Sequence, residues 1–269
     1  TASLEKDPGG RSQNVHGPKE GTLARVPVRV EMDVSVALLR PFLPSADVHT
    51  HMFNGSMDRP VHLPSPDFFT NLPRPTVEDP LVVMMSACLG GLHCGVDGST
   101  NGDHTDLRRW LFRPEVRIVK FCPEDFSFGT PRMTPDNHGG NGFDVLDGRA
   151  RSVAEDGTDW TEGMVKAAYA MRDLAVKEKV SLAVLMDMSG ACGSTVTYSG
   201  SRFAENKIYQ TGPGVAAAAL IRANIPVISQ RDDRSLGLLR DLLDGTPTAP
   251  TAALDHWEKE WYQGYFEHR

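Results

Sequence analysis

Apolar positions fall into two regimes along this chain. Up to about residue 80 they come in short runs cut by proline, with Arg-Pro or Leu-Pro pairs at Arg40-Pro41, Leu43-Pro44, Leu63-Pro64 and Leu72-Pro73. Proline removes a backbone donor and blocks helices and central strands. One short strand over Val26–Val30 and one short helix over Val34–Phe42 are predicted there. Residues 1–80 therefore read as an irregular N-terminal extension wrapping a domain, with residues 1–22 expected to be mobile.

From Leu81 the pattern sharpens. Leu81–Met85 is an unbroken apolar run, as a strand buried on both faces should be. Val116–Phe121 alternates instead, which suits a strand nearer a sheet edge. Leu182–Met186 and Ile225–Ile228 predict two more strands. Between the second and third, Trp160–Lys179 places Met164, Ala168, Met171, Leu174 and Ala175 on one helical stripe. Val215–Asn224 is a second, Ala-rich helix, opened by Gly212-Pro213-Gly214. Strands alternating with helices imply parallel βαβ units. The expected fold is a Rossmann-like three-layer α/β domain with a mainly parallel sheet over residues 81–230, followed by a helical tail over 231–269. Thr251–Phe266 reads as an aromatic-bearing amphipathic helix, packed on the domain or on a second subunit, so a homodimer stays open.

Composition narrows the function classes. The chain has 269 residues, 40% of them hydrophobic, enough for a sizeable core. Its formal net charge of −7 argues against a global grip on nucleic acid, which needs clustered Lys and Arg against phosphate. No run approaches the roughly 20 apolar residues that span a bilayer, and the first 18 residues lack the apolar core of a secretory signal. Four cysteines in this length are too sparse for a disulfide scaffold. The expectation is a reduced, cytoplasmic protein with thiols available for chemistry and no membrane partner.

The thiols are placed where such chemistry is done. Cys88 follows the first predicted strand, Cys122 the second and Cys192 the third, and ligands of open parallel sheets bind beyond the carboxyl ends of the strands. Three thiols remote in sequence would meet at one rim. A single buried cysteine is usually just a small hydrophobe, but three at successive strand tips point to a shared metal or cluster. By spacing alone, zinc held by three thiolates and a fourth ligand ranks beside an iron–sulfur cluster.

The motifs around these thiols resemble those of the thiouracil desulfidase family: Ser86-Ala87-Cys88-Leu89-Gly90, Cys94-Gly95-Val96-Asp97-Gly98, Cys122-Pro123-Glu124, Gly129-Thr130-Pro131-Arg132, Asp156–Thr161, Ser189–Ser194 and Gly212–Ala217, in that order over residues 81–230. The resemblance implies a [4Fe-4S] cluster held by Cys88, Cys122 and Cys192 only, with one iron open to a substrate's sulfur. It also marks Glu124 and Ser189 as catalytic. Gly95-Val96 stands where the family commonly has Arg-Tyr, and Ser189-Gly190-Ala191-Cys192 where it has Ser-Pro-Ser-Cys.

The implied reaction is non-redox: the thiocarbonyl sulfur of a small heterocycle, such as a thiouracil or thiohydantoin, is replaced by oxygen and leaves as sulfide. Glu124, two residues past a cluster ligand, would be the base for water, and Ser189 would position water or relay a proton. The plain alternatives are a surface or cap-adjacent carboxylate and a turn serine. Thr130 and Arg132 would bind a carbonyl or carboxylate of the substrate; a loop-fixing ion pair is the alternative for Arg132. Cys94 is expected to be structural. The competing function class is a zinc- or cluster-binding sulfur carrier, or a partner module for thiolated RNA, without turnover.

Other signals carry less. His49 and His51 form a His-x-His pair with no later metal ligands to match, and read as a surface or interface pair. His138–Gly142 reads as a flexible loop, a lid or simply a turn, and Arg231–Arg234 as a solvated charge run. Gly212-Pro213-Gly214 could hold an anion at a helix N-terminus.

Overall fold

The computed structural model describes residues 59–100, 104–247 and 252–267. The expected strand over 26–30, the helix over 34–42 and the His49/His51 pair lie outside the described residues. In chain order the elements are α1 (Pro66–Asn71), β1 (Leu81–Ser86), α2 (Thr105–Leu111), β2 (Val116–Phe121), α3 (Pro123–Phe128), β3 (Pro135–His138), α4 (Gly142–Leu146), β4 (Arg151–Ala154) and α5 (Thr161–Lys177). They continue with β5 (Leu182–Leu185), β6 (Val196–Tyr198), β7 (Tyr209–Thr211), α6 (Val215–Arg222), β8 (Val227–Ser229), α7 (Asp233–Asp244), a 3-10 turn (His256–Glu258) and α8 (Glu260–Phe266).

β1, β2, β5 and β8 form an all-parallel sheet in the order β2-β1-β5-β8. The period-2 alternation of a strand sends successive side chains to opposite faces, and both faces here are apolar. Met84, Ala183, Leu185 and Val227 point to one side, where Met164, Ala168 and Met171 of α5 and the alanines of α6 cover them. Val83, Met85, Leu182, Val184 and Ile228 point to the other, against Phe69 of α1, Leu107 and Leu111 of α2, and Leu239 and Leu243 of α7. The result is the three-layer α/β arrangement expected. β2 sits at the sheet edge, which explains its broken hydrophobic run: only Val116 of its six residues is buried.

The chain leaves β1 toward β2 on one side and β5 toward β8 on the other. The gap between the carboxyl ends of β1 and β5 is therefore the topological switch point, where open α/β sheets bind ligands. The register pairs Ser86 with Phe121 and Met85 with Val184. Cys88 and Cys122 thus leave the sheet at nearly the same height, and the turn after β5 opens on the same rim.

Of the two loop readings, His138–Gly142 takes the plainer form, a short turn between two elements: His138 ends β3, and Asn141 opens α4 through a capping box with Asp144. Asn141 Oδ1 accepts from Phe143 N at 2.9 Å, and Asp144 Oδ2 accepts from Asn141 N at 3.1 Å. Arg231–Arg234, by contrast, is not simply solvated. Asp232 is fully buried, accepting from Ser229 N at 2.6 Å and from His256 N at 2.9 Å. Burial, and then the neighbouring charges of Asp187 and Asp255, push the Asp232 carboxyl up to about 7.

That carboxyl belongs to a buried cluster that fastens the C-terminal segment. His256 pairs with Asp187, both almost wholly buried, and Asp255 accepts from the Ser235 amide and hydroxyl, each at 2.8 Å. The aromatic tail helix is shorter than expected, split into the 3-10 turn and α8. Among the described residues no helix is long and apolar enough to cross a membrane.

Candidate active site at the sheet rim

All four cysteines are free thiols. The Cys88 loop turns sharply after β1, with Gly91 at φ 84°, and Lys120 of β2 ties it down by donating from Nζ to Gly90 O at 2.8 Å. A Cβ on Gly90 would lie 2.9 Å from the Lys120 side chain, so glycine lets the two approach. Cys122 is the N-cap of α3, its sulfur accepting from Asp125 N at 3.4 Å. Pro123 follows at the first helical position, where its missing N–H costs nothing.

Cys192 sits in a turn pinned from two sides. Ser189 Oγ accepts from the amides of Ala191 and Cys192 at 3.2 and 3.1 Å. The first N–H groups of α6 then close on the carbonyls of the same turn: Gly214 N donates to Gly193 O, Val215 N to Gly190 O and Ala216 N to Ala191 O, at 2.8–2.9 Å. Helix N-termini carry unsatisfied donors, and here the Cys192 turn, rather than an anion, satisfies them. Met188, just before, adopts the left-handed region at φ 55°, a conformation costing a non-glycine residue about 1 kcal/mol. Gly214 makes the close fit possible, since a Cβ there would lie 2.5 Å from Ala191 C and 2.8 Å from Cys192 N. Those neighbours are main chain and cannot swing aside. Gly214→Ala should lower stability by roughly 1–3 kcal/mol, read by chemical denaturation; an unchanged midpoint would show that the turn is not held this tightly.

The thiols meet. The Cys94 side chain hydrogen-bonds with those of Cys122 and Cys88, and these bonds, ahead of burial, raise its thiol above the ordinary range. The same bond from Cys94 lowers Cys122. Cys192 is raised by burial, and further by the nearby Cys122, Cys88 and Glu124, against a lowering hydrogen bond from Ser86. Cys88, Cys122 and Cys192 are therefore brought together as expected. Cys94, read as structural, lies among them. Ser86, which the sequence reading passed over, joins the two halves of the site: its hydroxyl contacts Cys192 and accepts from Met186 N at 2.9 Å.

Glu124 points into this group. Its Oε1 accepts from Ser189 Oγ at 3.2 Å, and its Oε2 from Arg132 Nη2 at 2.8 Å and Nε at 3.3 Å. Arg132 is itself buried, with 4% of its side chain exposed against 13% for Glu124. Its Nη1 donates to Gly129 O and Thr130 Oγ1, both at 3.1 Å, and Nη2 also donates to Cys94 O at 3.0 Å. Every donor of the guanidinium has a protein acceptor. Arg132, expected to hold substrate, makes instead the ion pair weighed as its alternative, because one planar fork reaches Glu124 and two loops at once. Thr130 is likewise engaged, donating to Asp125 Oδ1.

The N-terminal described segment also reaches the site. His62 Nε2 lies 2.8 Å from Ser194 O; burial lowers its ring to about 4, so at neutral pH it is the uncharged donor to that carbonyl. Nothing in its sequence context marked it, since the contact spans 132 positions.

The donor set suits a soft metal group, because thiolates select iron–sulfur clusters and zinc. Among the described residues no three His, Cys, Asp or Glu side chains are already spread around an ion position; Cys94 bonds to Cys88 and Cys122, and Cys192 to Ser86.

Residues 83–232 match the family described as 2-thiouracil desulfurase. The uncharacterized protein YbbK of Bacillus subtilis (strain 168) is 36% identical over 152 residues, 56% of this chain and 97% of that protein. Among solved structures, a [4Fe-4S]-dependent thiouracil desulfidase, TudS, is similar at 27% identity and a TM-score of 0.48, over 60% of this chain and 99% of that one. With the family's segment spanning more than half of the sequence and containing the whole thiol site, this chain belongs to the 2-thiouracil desulfurase family.

Proposed function

We propose that the protein is a non-redox desulfidase that replaces the thiocarbonyl sulfur of a small heterocycle, thiouracil or a near relative, with oxygen and releases sulfide. The observation that carries this is the meeting of Cys88, Cys122 and Cys192 at the switch point with Glu124 and Ser189 turned into the same space. Cys88, Cys122 and Cys192 would hold a [4Fe-4S] cluster with one iron left open. Bound there, the cluster would supply a soft Lewis acid for the departing sulfur.

The chain's own groups do the rest. Glu124 takes a proton from the attacking water and passes it by way of the ring nitrogen to the departing sulfur; the C–O bond forms, the C–S bond breaks, and the sulfur leaves as hydrogen sulfide with the two protons of the water. Ser189, donating to Glu124 Oε1, keeps that oxygen aimed and stands in the path of the water. Arg132 is a positioning residue: it fixes Glu124 relative to the Cys94 and Cys122 loops. Carbon keeps its oxidation state as C=S and water become C=O and hydrogen sulfide, so no electron acceptor is required.

The Cys94 thiol favours a second reading, since four thiolates are the donor set of a closed zinc site, which would bind metal without turning over substrate. Anaerobic purification followed by metal and acid-labile sulfide analysis, with sulfide release measured on 2-thiouracil and related thioheterocycles, separates the two. Iron, labile sulfide and released sulfide are expected. A colourless zinc protein inert to the whole panel would remove the desulfidase reading.

A further inference from the structure

With Arg132 committed inside the protein, the site needs another group to recognise a ring. Arg202 stands in the loop between β6 and β7. Its Nε and Nη2 bind the buried carboxylate of Asp136 at 2.7–3.1 Å, its backbone N donates to the same carboxylate at 2.8 Å, and Nη2 also reaches Pro135 O at 3.5 Å. The guanidinium lies over the Tyr198 ring, 4.8 Å from its centre. It is held from two directions, and among the described residues Nη1 has no acceptor.

β3 carries this arrangement to the edge of the thiol site. Asn137 Nδ2 donates to Gly190 O at 3.0 Å, and a Cβ on Gly190 would lie 2.9 Å from Pro135 O. Gly190 is the neighbour of Ser189, whose hydroxyl meets Glu124. Burial works against the charge of Arg202 and is outweighed by Asp136 and, further off, by Glu124.

We propose that Arg202 is the substrate-recognition residue of this site, its Nη1 donating to a neutral carbonyl oxygen on the thionated ring. The acceptor is a carbonyl rather than a carboxylate because Asp136 already balances the Arg202 guanidinium and Arg132 and Glu124 balance each other, so an anionic substituent would bring a charge that neither guanidinium is left to offset. Bidentate anchoring by Asp136 and the Tyr198 ring also pre-pays the ordering of a flexible side chain. This inference rests on the desulfidase reading of the same site.

The test uses two ligands that differ by one ring carbonyl and cannot be desulfurised, uracil and 3,4-dihydropyrimidin-2(1H)-one, which keeps both ring N–H groups and has CH2 in place of the C4 carbonyl, titrated calorimetrically into the anaerobically purified protein. A hydrogen bond from a charged donor makes uracil the tighter ligand by about ten- to hundredfold. Arg202→Met should erase that preference, and Arg202→Lys, which keeps the charge without the planar fork, should retain only part of it. Equal affinities for the two ligands in the wild type, no binding of uracil, or a preference that survives Arg202→Met overturns the proposal. An arginine that merely braced the loop would weaken both ligands alike and leave their ratio unchanged. Since neither ligand reacts, a wild type that prefers uracil yet releases no sulfide from 2-thiouracil overturns the desulfidase reading alone.

Discussion

Glu124→Gln should lower the turnover number for sulfide release by about 10²- to 10⁴-fold, the range general-base catalysis contributes, while iron and labile sulfide per chain stay at the wild-type level. The geometry allows that separation. The amide oxygen of glutamine can keep the bond from Arg132, made to Oε2 at 2.8 Å, while its NH2 takes the place of Oε1 and the 3.2 Å bond with Ser189 reverses, Ser189 Oγ accepting, so the loops remain in place and the proton acceptor is lost. Glu124→Ala is a harsher probe, because it leaves the Arg132 guanidinium buried without its counter-charge, a loss of about 3–5 kcal/mol for such pairs. Measured under saturating 2-thiouracil, a glutamine variant with undiminished turnover would strip Glu124 of its role as base.

The other large effect is expected at Cys122. Serine there is an excellent N-cap and can take over the contact with Asp125 N, now made by sulfur at 3.4 Å, so α3 should form as before. What serine cannot supply is a soft thiolate for iron. Cys122→Ser should therefore fold with a near-native thermal transition, lose its iron and brown colour, and release no sulfide. Full iron content in that variant would mean that Cys122 does not hold the cluster.

Much of this site was legible from residue order. The unbroken run Leu81–Met85 and the alternating run Val116–Phe121 predicted a buried strand and an edge strand, and both occupy those positions because the burial of each face dictates the periodicity. Once parallel strands are recognised, the rule that ligands gather beyond their carboxyl ends brings Cys88, Cys122 and Cys192 together without coordinates. The motif Cys122-Pro123-Glu124 also implied a carboxylate close to a thiol. By contrast, Arg132 reads from sequence equally as a substrate-binding cation and as half of a loop-fixing ion pair. Only the fold shows that Glu124, Gly129, Thr130 and Cys94 surround it and use its donors.

The sequence by itself determined the layer architecture, the rim of the sheet where the loops gather and the three thiols on it, since each follows from local periodicity or from the ends of strands. The tertiary structure alone decided which polar groups face which: Cys94 among the thiols, Ser86 bridging β1 to the Cys192 turn, Asp232 buried beside His256, and Arg202 locked on Asp136. The contacts of Asp232 with His256, Arg202 with Asp136 and Ser86 with Met186 join positions 24, 66 and 100 residues apart, and no local pattern encodes them; they exist because burial obliges each polar group to find a partner wherever the packed chain brings one.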